Sequence, residues 1–145
     1  MSSEIERAIR ERIHASEFAG WFGMEFVSAA DGECEMRLEL KPHHLNPGGI
    51  IHGGVIATML DAAIGLALRS ARPLGSPHVT LTMSIQYIGM ASEGTIVARG
   101  RSLHAGRRAG HGEGELVTAD GRMLAKGAAT FMTVEPENLP RSPFA

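Results

Sequence analysis

The sequence predicts an α+β domain in which one antiparallel sheet wraps a single long helix. Three observations carry this. A run of helix length, about His52 to Ala71, is apolar on nearly every side and stands alone in mid-chain. Segments that alternate apolar with polar residues, the period of a half-buried strand, lie before and after it. Two joints between such segments are Asp31-Gly32 and Asp120-Gly121, a dipeptide that suits tight hairpins. A helix that is apolar all round has to be covered, and antiparallel strands are what this chain offers to cover it.

Residues 1–22 predict a helical segment. Over "SSEIERAIRERIHASEF", Ser3 and Glu6 have capping-box spacing, and Ile5, Ile9 and Ile13 recur every four residues. Gly20 and Gly23 end that region. "GMEFVSAADGECEMRLEL" predicts two strands; in the second, Cys34, Met36, Leu38 and Leu40 share one face, opposite Glu33, Glu35, Arg37 and Glu39. Pro42 to Gly49 is a loop before the long helix. "HVTLTMSIQYI" alternates again, with Val79, Leu81, Met83, Ile85 and Tyr87 on one face. "GTIVARGRSLHAG" and "GHGEGELVTADGRMLAKGAATFMTV" supply about three more strands. The tail, residues 136–145, holds three prolines and predicts irregular structure. Residues 1–145 are expected to form one domain, long enough to bury a sizeable core.

Net charge is −2 and the pI about 6.4, so no nucleic-acid footprint is expected. The single cysteine cannot form an internal disulfide, and Met1 to Arg12 is too charged for a signal peptide. The longest apolar run, Val55 to Leu68, is short for a membrane span and contains Asp61. A cytoplasmic protein without a membrane partner is the expectation. His43, His44 and His52 fit no zinc-ligand spacing, so no metal is expected, and Cys34 reads as core. No Gly-x-Ser-x-Gly nucleophile elbow occurs, and no Gly-Lys-Ser/Thr follows Gly53-Gly54 to make a phosphate-cradling loop.

Asp61 is the residue that the pattern does not explain. Its neighbours Ile56, Ala57, Met59, Leu60, Ala62, Ile64 and Leu66 leave no solvent face, so the sequence predicts a buried helix and a buried acid. An ionised carboxylate there is costly unless paired or hydrogen-bonded, and burial raises its pKa. Two readings stand: an aspartate that caps a nearby loop, or a general base or nucleophile tuned by burial. Gly53 and Gly54 start the helix, where amides lack intrahelical partners and the dipole is positive. Such amides can stabilise an oxyanion, although the same glycines would also serve a tight turn. Asp61 follows Gly53 by eight residues, ~12 Å along a helix axis. A base must come within roughly 3 Å of the reacting water. The two residues of one chain therefore cannot serve one carbonyl; if both are catalytic, the site combines two chains.

The stretch "NPGGIIHGGVIATMLD", Asn46 to Asp61, resembles the HGG-containing signature of hotdog-fold thioesterases, in particular the PaaI-like (phenylacetic acid degradation) branch. The similarity continues through the later strands to "TFMTV", covering roughly Gly23 to Val134. It implies a hotdog fold and hydrolysis of acyl-CoA to a carboxylate and free CoA, without cofactor or metal. It also implies a homodimer or homotetramer with active sites at the subunit interface. Carried over by position, the Gly53 N–H and the Asn46 side chain hold and polarise the thioester carbonyl. Asp61 of the partner subunit activates water or attacks directly, and Thr80 orients that water. His52 holds the site's geometry or assists the departing thiolate, while Gly54, Arg107 and Arg108 contact the CoA portion. Other roles remain open on the residues alone: Asn46 beside Pro47 fits a turn, His52 a helix start bonded to backbone, and Arg107-Arg108 a solvated hairpin loop. The family alone suggests a medium or aromatic acyl chain. One alternative is a hotdog acyl-CoA dehydratase or hydratase, whose "DxNP" pattern fails here because position 44 is histidine. Another is a non-catalytic acyl-CoA-binding regulator, whose DNA-binding segment Met1 to Gly23 is too short to supply.

Overall fold

The apolar run forms helix α3 (Gly53–Ser70), and the other elements are laid around it. The computed structural model describes residues 3–73 and 77–141. Before α3 come helices α1 (Glu4–His14) and α2 (Glu17–Phe22) and strands β1 (Met24–Ala30) and β2 (Glu33–Glu39). After it come β3 (His78–Tyr87), β4 (Thr95–Ala105), β5 (Ala109–Thr118) and β6 (Met123–Thr133). All six strands pair antiparallel in one sheet, in the order β1-β2-β4-β5-β6-β3. The chain leaves β2, crosses as α3 and lays β3 at the far end, so β3 is an edge strand.

Burial follows the predicted pattern in β2, where Cys34, Met36 and Leu38 are buried, as is Leu40 just past its end. They meet Met59, Leu60, Ala63, Ile64, Ala67 and Leu68 of α3, all inaccessible to solvent. A row of glycines brings sheet and helix together. Gly100 on β4 pairs with Gly114 on β5, which pairs with Gly127 on β6. A Cβ at Gly100 would collide with the Ala63 carbonyl, one at Gly114 would lie 3.0 Å from Ile64, and one at Gly127 3.2 Å from Leu60. The helix can lie this close only because these three positions have no side chain.

Three expectations are corrected. The N-terminal helix is two helices, because the Ser16 hydroxyl accepts the Ala19 N–H at 3.1 Å and starts a second one. Alternation in β3 breaks at a bulge between Thr80 and Thr82. The extra residue, Leu81, reverses the parity, so Val79 and Leu81 are exposed while Thr80 shares the helix-facing side with Met83, Ile85 and Tyr87. Nor is α3 covered all round. Gly54 is exposed and Ala57, Thr58, Asp61, Ala62, Leu66 and Arg69 are only partly buried, a stripe at helical spacing beyond the β3 edge. At 18 residues with a mean hydropathy of 1.3, α3 is long and apolar enough to cross a membrane, but 56% of it is buried in this fold. Of the predicted irregular tail, Pro136–Asn138 form a 3-10 turn and the last four residues lie outside the described ones.

Candidate active site

The β3 bulge delivers Thr80 to Asp61. Its Oγ1 donates to Asp61 Oδ1 at 2.7 Å, joining the edge strand to the uncovered stripe of α3. The carboxylate therefore has one oxygen oriented by a neutral donor and stands at an open face. The predicted deep burial of Asp61 is absent in the single chain because the sheet ends at β3.

The start of α3 is the second part. His52 is the N-cap, its Nδ1 accepting the Gly54 N–H at 2.8 Å, while its carbonyl accepts from Val55 and Ile56. Accepting at Nδ1 puts the ring proton on Nε2, so His52 presents a donor outward. The Gly54 amide is thereby committed; what Gly54 can offer a ligand is its lack of a side chain. The Gly53 N–H has no acceptor among the described residues. Tyr87, which the sequence showed only as a strand residue, donates from its hydroxyl to the Gly53 carbonyl at 3.1 Å. Its ring lies 3.4 Å from where a Gly53 side chain would begin.

The third part is the loop before the helix. Asn46 Oδ1 accepts from the Gly48 N–H at 2.9 Å and the Ile50 N–H at 3.4 Å. This is the turn role that the sequence left open, and it turns the side-chain amide donors away from the loop's own backbone. Buried His44 ties the loop down: Nδ1 accepts the Lys41 N–H at 2.9 Å and Nε2 donates to the Phe22 carbonyl at 2.6 Å. The His44 carbonyl in turn accepts the His52 N–H. His44 is thus structural, with both ring nitrogens satisfied.

Arg107 and Arg108 lie exposed in the β4–β5 hairpin loop, as predicted. Among the described residues no three His, Cys, Asp or Glu side chains converge as a metal site would require. A concavity of about 810 Å³ lies on the outer face of the sheet among Glu35, Arg99, Glu115 and Lys126, and neither Asp61 nor Gly53 lines it. Asp61 and Thr80 lie instead at the open edge of the sheet.

Residues 48–125, over half of the chain, match the thioesterase superfamily. The chain belongs to that superfamily. The fold is the hotdog fold, and the activity is thioester hydrolysis. This thioesterase is 32% identical over 135 residues to acyl-coenzyme A thioesterase 13 of Homo sapiens, spanning 90% of this chain and 94% of that one. A conserved protein of Pseudomonas aeruginosa superposes with a TM-score of 0.80 at 35% identity, covering 85% of this chain and 98% of that one. A mutant of the phenylacetic acid degradation protein PaaI of Thermus thermophilus superposes with a TM-score of 0.74 at 25% identity, covering 82% and 100%.

Proposed function

We propose that this thioesterase hydrolyses acyl-CoA to a carboxylate and free CoA, with Asp61 as general base or nucleophile. The bond from Thr80 to Asp61 carries the reading. With the Thr80 hydrogen committed to Oδ1, its oxygen can only accept. A water that donates one hydrogen to Asp61 and the other to Thr80 directs its lone pairs away from both, toward a bound carbonyl. Asp61 takes a proton as the water oxygen bonds to the carbonyl carbon. The carbonyl oxygen gains negative charge facing the Gly53 N–H and the Asn46 amide. The C–S bond then breaks, and His52 Nε2–H is suited to meet the departing thiolate.

The reading places Asp61 of one subunit opposite Gly53 and Asn46 of another, in a homodimer or a dimer of dimers. The ~12 Å of helix between Gly53 and Asp61 supports it. So do the uncovered α3 stripe and the β3 edge, where Val79, Leu81 and Tyr87 are exposed. A long apolar edge strand invites pairing with another strand. Arg107 and Arg108 take the CoA phosphates, and Gly54 leaves room for the chain that connects them to the sulfur. No cofactor or metal enters the reaction, and a cytoplasmic setting suits the substrate. The test is thiol release across a panel of acyl-CoAs by the parent and by Asp61→Asn. The variant should stay folded and lose at least ~10²-fold in rate. Near-parental turnover by the variant would reduce Asp61 to a structural role.

A further inference from the structure

Three buried side-chain nitrogens have no hydrogen-bond partner among the described residues: Arg72 Nε, Arg72 Nη2 and His78 Nδ1. All three belong to one corner. His78 pairs across the sheet with Thr133, and Thr133 Oγ1 accepts from Arg72 Nη1 at 2.7 Å. Buried polar groups without partners are uncommon, and three at one place need a common cause. Arg72 is 6% exposed. Burial lowers its pKa, and burial together with the charges of Arg72, Arg69 and Arg12 pushes His78 down to about 4. Among the described residues, no carboxylate lies within ion-pair distance of Arg12, Arg69 or Arg72. The corner is, among the described residues, a buried cationic site without an anion.

It also adjoins the reacting pair. His78 stands two residues before Thr80 on the same face of β3. Its Nε2 would touch a Cβ at Gly65, 3.2 Å away, and its ring packs edge-on against Phe131 at 4.9 Å. Gly65 is one helical turn beyond Asp61 on the same helix face. A Cβ there would also lie 3.0 Å from the Phe131 ring, so the bare glycine lets the His78 and Phe131 rings pack against α3 beside the carboxylate.

We propose that Arg72 and His78 recognise a carboxylate at the far end of the acyl group, so that the preferred substrates are mono-thioesters of dicarboxylic acids. Arg72 Nε and Nη2 form the planar fork that matches a carboxylate, and His78 Nδ1 supplies a third hydrogen bond. His78 lies two strand residues from Thr80, a span of ~6.6 Å. An extended chain gains ~1.2 Å per bond, so about five bonds separate the reacting carbonyl from that carboxylate, as in a five- or six-carbon diacid. The inference rests on the thioesterase reading of Asp61, and a CoA phosphate is the other anion that the corner's chemistry would accept.

The test compares adipyl-CoA with hexanoyl-CoA, which differ only in the terminal carboxylate. The same two acyl groups on N-acetylcysteamine, which has no phosphate, form the second arm. The parent should favour adipyl over hexanoyl at least tenfold in kcat/KM on both carriers. In Arg72→Gln and His78→Leu, each confirmed folded by its melting curve, that ratio should fall toward one. A parental ratio of one or less overturns the proposal, as does an Arg72→Gln loss equal for both acyl groups. If Arg72→Gln weakens both CoA thioesters but neither N-acetylcysteamine thioester, the anion is a phosphate and the acyl assignment falls. A protein that cleaves no thioester would sink the hydrolase reading instead. The corner is then judged by calorimetric Kd, where adipyl-CoA should bind at least tenfold tighter than hexanoyl-CoA.

Discussion

His52, next to Gly53 and Tyr87, and His78 stand near opposite ends of β3, and each has one ring nitrogen that matters. His52 spends Nδ1 on the Gly54 amide and keeps a proton on Nε2. His78 is held neutral, first by burial and then by Arg72, Arg69 and Arg12, with a pKa of about 4 against 6.5 in an unfolded chain. Between those values the unfolded state binds more protons than the folded one, so stability falls as pH drops from 6.5 toward 4 and levels off below. Melting temperatures of the parent should decline across that window, and His78→Leu should flatten the decline. An unchanged slope in the variant would mean that other groups govern acid lability. At this scale much of the candidate site was legible in the sequence. Asp61 stood out as an acid in an apolar run, and Asn46, Gly53 and His52 by their spacing to it. Tyr87 and Arg72 were not legible, because a tyrosine in an alternating strand and an arginine after a helix have no local signature for their distant contacts.

Helix α3 lies against the sheet at the glycine row, and this spacing governs how much change the core tolerates. Gly100→Ala would drive a methyl into the Ala63 carbonyl, which cannot yield without moving the helix. Overpacking of that kind costs about 1–3 kcal/mol, to be read as a lower urea midpoint. Gly20→Ala, with nothing within 4 Å, is the control and should be neutral or slightly stabilising. Equal midpoints for the two variants would show that the sheet can retreat. In "GHGEGEL" the glycines at 110, 112 and 114 alternate with His111, Glu113 and Glu115; the sequence revealed a strand there but not which face met the helix. The β3 bulge was hidden for a similar reason: "HVTLTMS" alternates convincingly without it, and only pairing with β6 shows that Leu81 is the extra residue. At the β4–β5 loop, replacing Arg107 and Arg108 with alanine should raise KM for acyl-CoA and leave kcat nearly unchanged. The effect should shrink with added salt, because exposed ion pairs are screened. A thioester without phosphates is the control, and an equal loss on it would assign the arginines to folding.

For the whole molecule the sequence predicted a covered helix, whereas the single chain leaves a stripe of α3 bare. Periodicity reports that a residue needs cover but not whether its own chain or another supplies it. That distinction is testable by mixing inactive chains. Asn46→Asp keeps the side-chain oxygen that accepts from Gly48 and Ile50 but removes the amide donors, so it spares the loop better than alanine would. Refolded together, Asn46→Asp and Asp61→Asn chains should recover about a quarter of parental activity, since half of randomly paired symmetric dimers are hybrids with one intact site of two. Hybrids verified by mass spectrometry that show no recovery would end the cross-subunit mechanism. The free edge of β3 also has a consequence at the bench. A site assembled from two chains is itself an equilibrium, so turnover per chain should depend on enzyme concentration. On serial dilution, initial rate should fall linearly at first and then as the square of concentration once dimers come apart. The bend between the two regimes would mark the dimer's dissociation constant, and added substrate, by bridging both chains, should move it to lower concentration.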